Sequence, residues 1–128
     1  MKGTIDKTIK SCWVGLSDVL INAPIGVHDF EREQGNQFVV DFEVKLKYVH
    51  SVRTDELDHT IDYSMLFEAI QKGFAEPAFL LEFVAGRILT EVRAYLPDHQ
   101  YKLCIRKLTP AIPNAQIGHS IVRLRGKF

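Results

Sequence analysis

Cysteine is scarce in this 128-residue sequence, which contains only Cys12 and Cys104. Each lies in an apolar stretch, and neither has a second Cys or a His at the spacing of a metal site. The sequence leaves a single bridge between them open, but two buried, reduced thiols suit their strand-like surroundings better. The five histidines are also scattered, without the spacing or the carboxylate partner of a metal motif. We therefore expect no metal site.

Net charge is absent as well, because 16 Lys and Arg residues balance 16 Asp and Glu residues. Without an overall basic field to attract phosphate backbones, the sequence predicts no nucleic-acid partner. It also lacks an apolar run of about 20 residues, and Asp6, Lys7 and Lys10 interrupt its first stretch. These absences predict a cytoplasmic protein with no membrane partner.

The composition is that of a folded domain, with 46% hydrophobic and 25% charged residues. A chain of this length fits one domain with one core, so we treat residues 1–128 as a single domain. Residues 1–10 are polar, and we expect them to form a flexible or edge-covering extension.

Four segments carry strand patterns. The clearest is residues 38–48, where apolar and polar residues alternate strictly, so that one face is buried and the other is charged. Its apolar members are Phe38, Val40, Phe42, Val44, Leu46 and Tyr48. Residues 11–21 form an apolar strand before it, and residues 101–107 and 120–125 alternate near the end of the chain.

Two helices are predicted between the strand pairs. Leu66, Ile70 and Phe74 recur at i, i+4, i+8 after a cap at Asp62 or Ser64. A second helix ends at Pro97 and carries apolar residues at 4-3-4-3 spacing, namely Leu81, Ala85, Ile88, Val92 and Tyr95.

The element order is therefore β-β-α-α-β-β. It predicts an α+β fold, an antiparallel four-stranded sheet with two helices on one face. The other sheet face and both sheet edges stay uncovered, which predicts a homo-oligomer.

Three residues are candidates for a catalytic or binding role, because apolar or rigid surroundings can shift the pKa of a side chain. Glu82 lies in an apolar run at the first turn of the second helix, where the helix dipole alone favours an acid by about 0.3–1 kcal/mol. Lys107 ends a strand just before a loop punctuated by prolines, but a solvated lysine would look the same. Tyr63 starts the first helix, where it could equally serve packing. Glu31 is one of several loop charges and says nothing by itself.

Five short motifs follow one another in a particular order. They are Ile25-Gly26-Val27 with Glu31-Arg32-x-x-Gly35-Asn36, then Asp55-x-Leu57-x-x-Thr60-Ile61-Asp62-Tyr63, then Leu80-Leu81-Glu82, then Lys107-x-x-Pro110-x-Ile112-Pro113. From about Cys12 onward, this series resembles the dihydroneopterin aldolase family.

The resemblance implies a reaction and an assembly. Members of that family split 7,8-dihydroneopterin into 6-hydroxymethyl-7,8-dihydropterin and glycolaldehyde, a step of folate biosynthesis, with neither metal nor cofactor. Their fold is the tunnelling fold, in which four subunits join their sheets into a barrel, and two such rings commonly stack into an octamer. For this chain the resemblance thus implies a pterin substrate and a homo-oligomer, tetramer or octamer, with active sites at subunit interfaces.

The resemblance also assigns substrate-binding residues. The glutamate matching Glu82 binds the 2-amino and ring N–H groups of the pterin with both carboxylate oxygens, a charge-assisted pair. Backbone groups around Leu81 and Ile61 contact the ring edge, and Thr60 and Pro110 complete the expected binding residues.

Three further residues are expected to be catalytic. The lysine matching Lys107 transfers protons with a bound water and forms no covalent intermediate. Tyr63, contributed by the neighbouring subunit, helps to move protons at the side-chain hydroxyl and the product carbon. Glu31 orients the substrate side chain or its water, and His28 lies close enough in sequence to be a possible substrate contact.

Other functions remain open on the sequence. Leu108 stands where the family often has proline, which slightly favours the related dihydroneopterin triphosphate epimerase, whereas Tyr63 and the intact proline loop favour the aldolase. Asn36 stands where glutamine is usual. A ring-forming structural protein or a non-catalytic small-ligand binder would be expected to lose Glu82 or Lys107, and both are present.

Overall fold

The computed structural model describes residues 4–128, which form a sheet covered on one side by helices. The strands are β1 (Trp13–Ala23), β2 (Asn36–Lys45), β3 (Gln100–Lys107) and β4 (Ser120–Lys127). The helices are α1 (Asp29–Gln34), α2 (Ser51–Thr54), α3 (Tyr63–Ala75) and α4 (Leu81–Arg93), with short 3₁₀ helices at Ile5–Thr8 and Leu57–His59. The predicted α+β class is confirmed.

The four strands lie in the order β1-β2-β3-β4, and every neighbouring pair is antiparallel. β1 and β4 are therefore the edges of the sheet, and within residues 4–128 no strand pairs with their outer sides. The register of β1 shifts between Leu16 and Val19, where Asp18 adopts a positive φ of 57°. Its backbone N–H donates to the Asp41 carboxylate at 2.7 Å, so the bulge is fixed by a side chain of β2.

The core fills the space between one sheet face and the long helices. Alternation in β2 and β3 turns six residues inward, and the helices present their apolar stripes to them. The fully buried sheet residues are Phe38, Val40, Phe42, Val44, Leu103 and Ile105, and the helical ones include Leu66, Ile70, Val84, Ile88 and Val92. Except for Tyr48, the apolar residues of the alternating pattern in residues 38–48 thus lie in the core, as predicted.

α3 and α4 form an antiparallel helical hairpin. Asp62 caps α3 by accepting from the Ser64 backbone N–H at 3.0 Å, one of the two predicted caps. Across the hairpin, Lys72 donates to Glu91 at 2.8 Å, and Arg87 donates to the Glu76 carbonyl at 2.8 Å. The C-terminal end of α3 therefore packs against the middle and C-terminal turns of α4, and the two helices run in opposite directions.

Some predicted boundaries were wrong. The second strand was expected to run to Tyr48, but it ends at Lys45, and Tyr48 is 70% exposed because the chain has already left the core. The second helix was expected to reach Pro97, but it ends at Arg93, where Ala94 caps it and a turn follows. The short helices α1 and α2 were not predicted, since neither is long enough to show a helical period.

The predicted extension, residues 1–10, falls partly outside the described residues, because the structure describes none of residues 1–3. Within the described part, Asp6 of the first 3₁₀ helix forms an ion pair with Arg53 of α2 at 2.9 Å. Both cysteines are free and half-buried. None of the helices within residues 4–128 has the length and apolar character needed to cross a membrane.

Gly73 marks the closest approach of the two long helices. A Cβ at this position would lie 2.3 Å from Ile88 Cγ1 and 3.3 Å from the Val84 carbonyl oxygen. Only glycine fits without moving the helices apart.

We predict that Gly73→Ala lowers protein stability by about 1–3 kcal/mol, because overpacking outweighs the helix propensity gained. Gly86 of α4 is the matched control, since a Cβ there meets nothing within 4 Å. Gly86→Ala should raise stability by up to about 1 kcal/mol. Thermal or urea unfolding at fixed protein concentration measures both, and a stabilising Gly73→Ala would contradict the packing described.

Candidate active site

The carboxylate of Glu31 is buried, with the residue only 3% exposed. It occupies the first turn of α1, where its Oε1 accepts from the backbone N–H of His28, the residue that precedes the helix, at 3.3 Å. Its Oε2 accepts from Asn36 Nδ2 at 2.9 Å and from the ammonium of Lys107. Four groups thus share one small volume where α1, β2 and β3 meet.

Lys107 reaches Glu31 because of its place in the sheet. It is the last residue of β3, opposite Phe38 of β2, and its side chain is 14% exposed. The ring of Phe38 packs on that of Phe74 in the last turn of α3, at 5.3 Å between centroids. The Glu31–Lys107 pair therefore lies at the end of the sheet that faces the α3–α4 turn.

The pKa of Glu31 lies below its ordinary value of about 4.5. Burial is the largest single influence and raises the pKa, since it penalises the charged form. Hydrogen bonds from Lys107, Asn36 and the His28 N–H stabilise the carboxylate and together outweigh burial. Glu31 is consequently an ionised acceptor at neutral pH.

Gly26 and Arg32 fix the loop that carries Glu31. A Cβ on Gly26 would lie 2.6 Å from Glu31 Cβ and Cδ, so the close approach requires glycine. Arg32 Nη1 donates to the carbonyls of Gly26 and Val27, each at 2.7 Å, and its guanidinium stacks over Phe79 at 4.6 Å. Arg32 and Asn36 belong to one of the motifs in the sequence, but nothing in their local pattern signals these roles.

The same loop adjoins the start of α4. Gly26 donates its N–H to the Ala78 carbonyl at 2.9 Å, and Ile25 forms a bridge with Ala78. Three residues later α4 begins at Leu81, which is half-buried, and Glu82 follows in its first turn with an exposed side chain. Backbone contacts thus bring the predicted anchor to the end of the molecule that holds Glu31 and Lys107.

Tyr63 lies at the other end of the helical layer. It is the first residue of α3 and is 59% exposed, while Ile61 just before it is buried and Thr60 is half-buried. At 1.5 Å per residue, the twelve steps from Tyr63 to Ala75 separate the two ends of α3 by about 18 Å. Within residues 4–128, no hydrogen bond or ion pair joins Tyr63 to Glu31 or Lys107. One chain does not assemble the whole predicted site.

The loop after β3 carries the last predicted binding residue. Leu108 donates its N–H to the Gln37 carbonyl at 3.1 Å, which ties the beginning of the loop to β2. Pro110 is half-buried and its carbonyl accepts from the Ile112 N–H at 2.9 Å. His28 is exposed beside α1, where its ring stacks on Phe30 at 5.5 Å between centroids.

A family model described as FolB, dihydroneopterin aldolase, matches residues 14–125. The chain belongs to the dihydroneopterin aldolase family. The dihydroneopterin aldolase of Bacillus subtilis is 34% identical over 92 residues, which cover 69% of this chain and 75% of that protein. That of Streptococcus pyogenes serotype M1 is 30% identical over 87 residues, 65% of this chain and 73% of that protein.

Solved aldolase structures have the same fold. Escherichia coli dihydroneopterin aldolase in complex with neopterin superposes with a TM-score of 0.72 and 17% identity, covering 91% of this chain and 99% of that one. Burkholderia thailandensis dihydroneopterin aldolase bound to guanine gives 0.65 and 14% identity, with coverage of 93% and 91%. The expected α+β aldolase fold is confirmed.

Membership of this family identifies the reaction. A dihydroneopterin aldolase is a carbon–carbon lyase of folate biosynthesis, which cleaves its substrate in a retro-aldol step. The expected enzyme class is therefore confirmed, and it requires the site to move protons without breaking the pterin ring.

We predict that Glu31 makes stability depend on acid pH. Because its folded-state pKa is depressed, its contribution is fully present above about pH 4.5 and is lost as pH falls through the lower folded-state value. Glu31→Gln removes that titration, so the midpoint of thermal unfolding should fall less steeply below pH 4.5 than in the wild type.

Glu33→Gln provides the control, since Glu33 lies on the same short helix with an exposed side chain. It should keep the steeper wild-type dependence. Parallel curves for wild type and Glu31→Gln would show that the buried carboxylate is not the group responsible.

Proposed function

We propose that the chain cleaves 7,8-dihydroneopterin at a site built from Glu82, Lys107 and Glu31 of one subunit and Tyr63 of its neighbour. The observation that carries this proposal is the buried Glu31–Lys107 pair, next to the loop that leads into Glu82. Glu82 anchors the pterin, Lys107 transfers protons, and Glu31 positions Lys107 and the water or side chain it serves.

Chemistry shared by two ligands supports the anchor role proposed for Glu82. Neopterin and guanine, bound in the solved relatives, both present an amino group beside a ring N–H on one edge. A carboxylate accepts from both donors at once, in a charge-assisted bidentate pair. The exposed Glu82 at the first turn of α4 is free to do this, and backbone groups near Leu81 and Ile61, with Thr60 and Pro110, are proposed to complete the binding surface.

The cleavage step uses the substrate as its own electron sink. A base takes the proton of the 2′-hydroxyl, the bond between C1′ and C2′ breaks, and C2′ leaves as the carbonyl of glycolaldehyde. The electron pair left on C1′ passes into the C6=N5 bond, and N5 takes up a proton to give an enamine. Protonation of C1′ and loss of the N5 proton then give 6-hydroxymethyl-7,8-dihydropterin.

Each of these proton transfers needs an acid or a base near the side chain of the substrate. None of them needs a covalent bond between enzyme and substrate. Lys107 at the end of β3 can donate and take back a proton through a bound water. Glu31 supports this role because its pKa is depressed and its position is fixed by Asn36 and His28, so it remains an acceptor while Lys107 cycles. Tyr63 is proposed to serve the hydroxyl and the product carbon from across the subunit boundary.

A shared site requires a neighbouring subunit, and the open edges of the sheet favour a ring. The open outer edges of β1 and β4 each expose unpaired backbone donors and acceptors, and joining them extends one sheet around a closed ring. The distance of about 18 Å along α3 separates Tyr63 from the Glu82 end of its own chain, so a neighbour must supply one of the two. We propose a tetrameric ring, alone or stacked into an octamer.

Side-chain epimerisation is a second candidate activity. Retro-aldol cleavage followed by re-addition to the other face inverts the substrate side chain, and Leu108 after the lysine is compatible with the related epimerase. Incubating the protein with 7,8-dihydroneopterin and measuring glycolaldehyde, hydroxymethyl-dihydropterin and epimerised substrate separates the two. The aldolase proposal fails if correctly assembled protein releases no glycolaldehyde.

We predict that Glu82→Ala and Lys107→Ala have different kinetic signatures. Loss of the bidentate pair should weaken pterin binding by about 10- to 150-fold, the equivalent of 1.5–3 kcal/mol. Loss of the proton-transfer group should lower kcat by about 10²–10⁴-fold with a smaller effect on pterin binding. Equilibrium titration with neopterin and steady-state rates separate binding from turnover, and the reverse pattern would show that the two roles are exchanged.

We also predict that two inactive variants restore activity when their subunits are mixed. Tyr63→Phe and Lys107→Ala chains, unfolded and reassembled together at equal amounts, should regain about a quarter of wild-type sites, because each boundary draws its two residues from different chains. Each variant reassembled alone is the control. Activity that does not exceed the average of the two would place Tyr63 and Lys107 in the same subunit.

A further inference from the structure

The sheet face without helices carries four basic side chains around one surface cavity. The cavity measures about 320 Å³, within the size range of small-molecule sites. The basic cluster consists of Lys102 and Arg106 of β3 and Arg123 and Arg125 of β4. The two basic residues on each strand are separated by an even number of positions, so they share a face of the sheet, the one opposite the core. None of the four belongs to the aldolase site.

Like charges face one another in this cluster. Lys102 lies directly opposite Arg125 in the β3–β4 register, and Arg123 lies opposite Cys104, diagonal to both basic residues of β3. Directly opposed like charges destabilise a sheet. Within residues 4–128, no carboxylate forms an ion pair with Lys102, Arg123 or Arg125.

The acids near the cavity do not neutralise the positive charge on β4, because within one chain they lie on the β2 side. Asp41 and Glu43 line the cavity from β2. Asp41 is engaged by Arg106 at 3.1 Å and by the Asp18 backbone N–H at 2.7 Å. Lys102 lies opposite Glu43, but its ammonium sits 4.1 Å from the ring centroid of Trp13 instead.

Arg106 adds a polar group that lacks a partner. Its Nη2 donates to Asp18 at 2.9 Å and to Asp41, but its Nε is buried with no hydrogen-bond partner among the described residues. Buried donors without a partner are rare, and a bound water or ion commonly satisfies them. An anion in the cavity would place acceptor oxygens between the opposed cations.

We propose that this basic cluster binds a small phosphate-bearing anion. Arginine forks suit phosphate oxygens, and two arginines on one strand can hold neighbouring phosphates. The ligand is a small molecule because, in the ring proposed above, this face lines the inside of the barrel. The site is distinct from the pterin site and needs no change in the aldolase chemistry.

The test is calorimetric titration with inorganic phosphate and, separately, tripolyphosphate, at constant ionic strength and with saturating neopterin. Neopterin occupies the pterin site, so anions cannot report on Lys107. We expect saturable binding of one anion per chain, tighter for tripolyphosphate than for phosphate because two arginines on one strand can hold neighbouring phosphates. The double variant Arg123→Gln/Arg125→Gln should bind at least tenfold more weakly, whereas Arg93→Gln, an exposed arginine of α4, should bind as the wild type does.

A second readout guards against misfolding of the double variant. Without phosphate, it should unfold at the same temperature as the wild type or a higher one, because the opposed charges are gone, and its aldolase rate should be unchanged. With phosphate, only the wild type and Arg93→Gln should gain thermal stability. Binding that is not saturable, or that survives in the double variant, would overturn the proposal.

Discussion

The buried carboxylate of Glu31 constrains more of this molecule than any other polar group. Among the described residues it is the one charged side chain classed as buried, and its partners come from α1, β2 and β3. Removing one member of a buried ion pair costs roughly 3–5 kcal/mol, a large part of the roughly 5–15 kcal/mol that stabilises a domain. This carboxylate keeps its hydrogen-bond donors because three features hold its surroundings in place. They are the glycine at position 26, the loop held by Arg32, and the end of β3. The proposed catalytic pair is therefore also a structural one.

Strand alternation and helix periodicity predicted the sheet, the two long helices and most of the core, because burial of one face imposes its period on the sequence. They could not predict α1, whose six residues show no period, or the end of β2, since Tyr48 continues the pattern after the chain has left the sheet. The Asp18 bulge also left no sequence signal, because it depends on a carboxylate 23 positions away.

The candidate site was predictable only in part, for a related reason. Glu82, Lys107 and Tyr63 were ambiguous as single residues and gained meaning from the order of the motifs around them. The importance of Asn36 could not be deduced that way, because its role lies in one contact, 2.9 Å from Glu31, that only the fold creates. Residues that position other residues leave weak patterns, since many side chains could occupy the same place in a strand or loop.

In the proposed ring, the antiparallel hairpin of α3 and α4 makes activity depend on assembly. Each chain carries Tyr63 at one end of its helical layer and Glu82 at the other. In the proposed ring, an isolated chain therefore holds two halves of different sites. Dilution below the dissociation constant of the ring would then abolish catalysis, although every chain stayed folded. The rate of catalysis would be proportional to the fraction of closed rings. A molecule that separated two neighbouring subunits would therefore inhibit the enzyme without resembling a pterin.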